Sequence, residues 1–76
     1  MKRVNITYHM KRGNEIAETC ITLPMEDDVS KDILAHGEDS VYLQPGRHGH
    51  IRRILSSLAT IQGYQYLGAC CPEEVK

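Results

Sequence analysis

Tryptophan and phenylalanine are both missing from this 76-residue chain, and its only aromatics are Tyr8, Tyr42, Tyr64 and Tyr66. A core of stacked large rings is therefore excluded, and so is a rich aromatic platform for nucleobases. Apolar runs are short, and none approaches the roughly 18 residues of a membrane-crossing helix. Charge of one sign is not in excess either: the formal net charge is -1. That balance does not fit a general nucleic-acid coat. Cysteine is scarce and odd in number, with Cys20 alone and Cys70 next to Cys71. A bridge between those neighbours would be strained, and Cys20 could pair with one of them only if their strands lie close together. A disulfide framework is therefore not expected from that set.

What is present is ordinary for a folded protein, with 41% apolar and 25% charged residues. The length suits one small domain over residues 1–76. A chain this short buries only about 60% of its unfolded surface. Small domains close that gap with disulfides, a metal or a second subunit. Met1-Lys2-Arg3 runs straight into a polar–apolar alternation rather than an apolar leader, so a reducing cytoplasm with free thiols is expected. His48, His50, Cys20, Cys70 and Cys71 are zinc-type ligands, but they lack the spacing of a zinc site. No metal and no other cofactor is expected. Self-association is then the leading source of extra burial.

Secondary structure follows from periodicity. Val4, Ile6, Tyr8 and Met10 alternate with polar neighbours, as in a half-buried strand. Glu15 to Leu23 continues as a second strand after Gly13-Asn14. With those two residues as the loop, Met10 meets Ala17, Tyr8 meets Thr19, Ile6 meets Ile21 and Val4 meets Leu23. On the other face Arg12 meets Glu15 and His9 meets Glu18, both favourable in sign. Gly in the first loop position suits a primed turn.

Pro24 to Asp28 reads as a helix start, with Pro in the first turn and three acids at the positive end of the dipole. Met25, Val29 and Ile33 form its stripe and Gly37 its stop. Residues 40–44 read as a short strand or an extended connection packed on the core. A second helix runs from about Gly49 to Gln62, with Ile51, Ile54, Leu55, Leu58 and Ile61 as its apolar face. A last strand begins at Tyr64 and ends before Pro72, setting Tyr64, Tyr66 and Cys70 against Leu67, Ala69 and Cys71. Apolar atoms on both faces predict a central or covered strand. The expected fold is α+β in the order ββα(β)αβ: an N-terminal antiparallel hairpin and a C-terminal strand in a small sheet, with two helices on one face.

The segment of greatest chemical interest is Gly46-Arg47-His48-Gly49-His50-Ile51-Arg52-Arg53. Two glycines permit close approach of a ligand to the backbone, and helix N–H groups that lack partners attract phosphates. Arg52 and Arg53 oppose the helix dipole unless an anion offsets them. The G-x-x-G step is similar to the backbone-clamping loop of KH modules. It departs from that pattern in two ways: Glu38 to Pro45 intervene between the helices, and Ile51 falls one position early. No catalytic motif is visible, so the chain is not expected to be an enzyme. The composition predicts a small protein-interaction or self-association module, acting as a homodimer or on a protein partner, with no membrane. The alternative is a nucleic-acid or phosphate-binding module using Gly46, Arg47, His48, Gly49, His50, Arg52 and Arg53.

Overall fold

A computed structural model describes every residue from Met1 to Lys76. Strand β1 (Lys2–Arg12) and strand β2 (Glu15–Met25) form the hairpin, and strand β3 (Gln65–Val75) joins the other side of β1. The sheet is antiparallel throughout, in the order β2-β1-β3. Helices α1 (Asp27–His36) and α2 (His50–Ile61) lie on one face of it. The expected α+β fold is the observed one. No helix is long and apolar enough to cross a membrane.

The hairpin register is the expected one, with Val4↔Leu23, Ile6↔Ile21, Tyr8↔Thr19 and Met10↔Ala17. Gly13 has φ +61 and Asn14 has no positive φ, the sign pattern of a type II′ loop. Arg12 donates to Glu15 at 3.0 Å beside the loop. The alternation of β1 puts Val4, Ile6, Tyr8 and Met10 under the helices, all buried. Above them sit Val29 and Ile33 from α1 and Ile51, Leu55 and Ala59 from α2.

Pro24 and Met25 belong to β2 and not to the first helix. Arg12↔Glu15 closes a two-residue loop and is thus a hydrogen-bonded pair; bonded and non-bonded pairs alternate from there. Arg3↔Pro24 lies an odd number of pairs away. It falls on a non-bonded step, where the N–H would face open solvent. A proline loses nothing there. The helix instead starts after Glu26, whose backbone is extended (φ −64, ψ 155). Asp27 and Asp28 still occupy its first turn, and Gly37 at φ +59 ends it.

Residues 40–44 do not form a strand. Two short 3-10 turns (Gly37–Asp39 and Val41–Leu43) make the connection. Buried Ser40 sets this shape: its hydroxyl donates to Asp32 at 2.6 Å and accepts from the Tyr42 N–H at 3.3 Å. Leu43 anchors the connection in the core.

Strand β3 runs through Pro72 to Val75 and lies at an edge of the sheet, so of the two expectations, central or covered by a partner, it is not central. Two register shifts interrupt its pairing with β1, between Asn5 and Thr7 and between His9 and Met10. Pro72 lies at the first, where a bulge leaves a residue unpaired and an N–H is not needed. Each shift changes the alternation. Ala69 faces Tyr8 and is buried, while Cys70 faces Thr7 on the open side of the sheet. Tyr66, across from Met10, shares the face of Ala69 and not that of Cys70.

Candidate functional site

Part of the Gly46–Arg53 segment is engaged in contacts within the chain. The Gly46 carbonyl accepts from the Gly49 N–H at 3.2 Å and from Arg53 Nη1 at 3.2 Å. Gly49 is buried, and a Cβ there would run into the Gln44 carbonyl oxygen. That crowding explains why glycine occupies the position before α2. His50 sets its ring edge-on to Tyr42, with centroids 5.4 Å apart. The loop therefore gathers Gly46, Gly49 and Arg53 and leaves Arg52 apart: that guanidinium lies over the Tyr66 ring, 5.4 Å from its centroid. Arg47 and His48 are exposed. The two arginines that were to act together diverge.

Arg52 and Tyr66 line a groove of about 580 Å³ beside β3, with Leu43, Pro45, Ala69 and Cys70. The Tyr66 hydroxyl is buried there without a hydrogen-bond partner. Burial pushes its pKa up, against the opposing pull of Arg52.

A different region stands out once the helices are placed. They pack over β1 and β3, so the inward side chains of β2 are only partly covered. Ala17, Ile21 and Leu23 are half-buried, although their partners Met10, Ile6 and Val4 on β1 are buried. The expected apolar face of α2 divides in two. Ile51, Leu55 and Ala59 reach the core, but Ile54 is 42% and Ile61 80% exposed, with Leu58 between these states. At 100° per residue, Ile54, Leu58 and Ile61 lie on one flank of the buried stripe and Arg52 on the other. Arg52 lies over Tyr66 of β3, so the apolar flank is turned away from that strand. Strand and helix together form a shelf of aliphatic side chains beside an open edge of eleven residues.

The two edges of the sheet are not equivalent. β2 pairs with β1 without a register shift from end to end, so its pairing is regular. β3 carries two shifts, a proline and a residue at positive φ, Cys71 at +56. Bulges and prolines blunt an edge against further pairing. β2 presents an unbroken row of outward N–H groups from Ile16 to Thr22 and lacks a donor only at Pro24 near its end.

The uncovered face of the sheet carries a cluster that sequence spacing did not reveal. Glu18 Oε2 lies 3.6 Å from His9 Nδ1, and His9 Nε2 lies 3.5 Å from Cys70 Sγ. Cys71 Sγ lies 3.0 Å from Cys70 Sγ. The neighbouring Cys71 thiol, burial, and the carboxylates of Glu18 and Glu38 push Cys70 up to about 11. The His9–Glu18 pairing was legible from the hairpin register. The approach of Cys70 depends on the bulges of β3, and nothing in the sequence spacing announces them.

No family model, curated protein or solved structure matches the chain.

Proposed function

We propose that this chain is a self-association module in which two copies pair through β2, joining two three-stranded sheets and covering each other's aliphatic shelf. The observation that carries the reading is the contrast along the hairpin, where Val4, Ile6, Tyr8 and Met10 of β1 are buried and their partners Leu23, Ile21, Thr19 and Ala17 on β2 are not. The regularity of the β2 edge supports it. So does the size of the chain, which leaves little burial to spare.

A second copy suits the edge better than an unrelated strand. Residues with outward backbone groups on β2 are the even ones, Ile16 to Pro24, because the odd ones bond to β1. An antiparallel pair of β2 strands centred on Cys20 sets Ala17 against the partner's Leu23 and Thr19 against the partner's Ile21. The same register sets Glu18 against the partner's Thr22, so like charges do not meet. Centring on Glu18 would place two carboxylates face to face, which is destabilising. Ile54, Leu58 and Ile61 then extend the contact from strand to helix.

Light scattering of the purified protein from micromolar to millimolar concentration tests the proposal. A mass of twice 8.6 kDa is expected over the upper part of that range. A monomer at every concentration overturns it.

A further inference from the structure

Adjacent residues in a regular strand point to opposite faces of the sheet. Cys70 and Cys71 do not. The bulge opposite Ile6 holds Cys71 at φ +56, a left-handed backbone that is rare for a residue with a Cβ. The result is two thiols 3.0 Å apart on one side of β3. Strain of this kind costs on the order of 1–3 kcal/mol and is found where surrounding structure enforces it, often at functional sites. A proton acceptor stands next to the pair. His9 Nδ1 lies 3.6 Å from Glu18 and Nε2 lies 3.5 Å from the Cys70 sulfur, so the tautomer with its proton on Nδ1 lets Nε2 accept from the Cys70 thiol. Cys71 is exposed and reachable from solvent.

We propose that Cys70 and Cys71, with His9 as base, form a two-electron thiol–disulfide site that reduces small disulfides and closes to a disulfide between the two neighbours. Cys71 is the entering nucleophile. Its thiolate attacks one sulfur of the substrate disulfide, forms a mixed disulfide and expels the first thiolate. Cys70 keeps its proton until that step is complete, because the neighbouring thiol and the carboxylates around it disfavour its ionisation. His9 then takes the Cys70 proton, and the Cys70 sulfur attacks the Cys71 sulfur and expels the second thiolate. The substrate disulfide gains two electrons and two protons and leaves as two thiols. The protein loses two hydrogens and gains one sulfur–sulfur bond. The exchange is stoichiometric, and an external dithiol resets it.

Glutathione disulfide serves as the probe, with a Cys20→Ser background to remove the third thiol. Trypsin places Cys70 and Cys71 together in the peptide Ile54–Lys76, which contains no other cysteine. Mass spectrometry of the reacted protein is expected to show that peptide lighter by two hydrogens, with no glutathione attached. Adding Cys70→Ser traps glutathione on Cys71. Adding His9→Ala leaves the mixed disulfide forming at Cys71 but slows its resolution about a hundredfold, the lower end of what a positioned base contributes. His9→Ala tests the base separately from folding, since the first step reports that the site is intact. The proposal is overturned if glutathione accumulates on the protein that has both Cys70 and Cys71, if neither cysteine reacts, or if His9→Ala resolves at the unmodified rate.

Discussion

Ile6 and Ile21 stand directly across from each other in the sheet, yet Ile6 is 0% exposed and Ile21 is only half-buried. The same residue type on the same face meets two environments because the helices cover the centre of the sheet and stop short of β2. The two positions should respond in opposite ways to mutation. Ile6→Ala removes a packed side chain and is expected to cost about 2–5 kcal/mol, with chemical denaturation as the measurement. Ile21→Glu is expected to cost the monomer about 1 kcal/mol or less. It should also abolish self-association in sedimentation runs.

Cys20 supplies a second test. In the proposed register it lies across from the partner's Cys20, in a bonded pair whose Cα atoms stand about 5.5 Å apart. That separation is within the range a disulfide spans. Mild oxidation of a Cys70→Ser, Cys71→Ser variant should therefore give a covalent dimer on a non-reducing gel, and dilution before oxidation should suppress it.

Gly49→Ala is expected to destabilise the fold by about 1–3 kcal/mol, the usual penalty for forcing a methyl into an occupied space. The obstacle is the Gln44 carbonyl, which is backbone and cannot rotate away. Gly13→Ala makes a different comparison. Nothing crowds its Cβ, and the cost there comes from φ +61 alone. Thermal unfolding of both variants separates steric from conformational demand.

Stability should depend on pH through a bond between the hairpin loop and the start of β3. The Tyr64 hydroxyl donates to Glu15 at 2.8 Å. This bond, together with Arg12, holds the Glu15 carboxyl below its usual range, and the same carboxylate pushes the Tyr64 phenol above its own. A depressed carboxyl contributes stability above its unfolded pKa, which is lost as pH falls through the folded value. A raised phenol contributes below its unfolded pKa, and that share is lost as pH rises through the folded value. Melting temperature should therefore fall below about pH 4.3 and above about pH 10, near the ordinary values of the two groups. Tyr64→Phe should flatten both limbs relative to the wild type.

Much of the fold is legible in residue order. The hairpin can be read pair by pair, since one loop position satisfies both faces at once. The end of α1 at Gly37 and both bounds of α2 follow from glycines placed where helices stop or start. Pro24 misleads because a proline suits both a helix first turn and the free side of an edge strand, and only the hydrogen-bond alternation of the hairpin separates these. The alternation of β3 cannot be read at all without β1. A bulge is a mismatch between two strands, and one strand alone does not contain it. That is why the meeting of Cys70, Cys71 and His9 is visible only in three dimensions. The shelf was half legible: Ile54, Leu58 and Ile61 were evident as part of an apolar face, but which part of that face finds cover depends on where α2 lies across the sheet.

Hydrogen exchange at the even-numbered amides of β2 addresses the proposed pairing most directly. Ile16, Glu18, Cys20 and Thr22 point their N–H groups away from β1, so a lone copy leaves them open to water. Pairing of two β2 strands should slow their exchange as protein concentration rises, while the Ile21→Glu variant stays fast throughout. Fast exchange at these four positions in the unmodified protein, unchanged from the lowest to the highest concentration, would contradict the account.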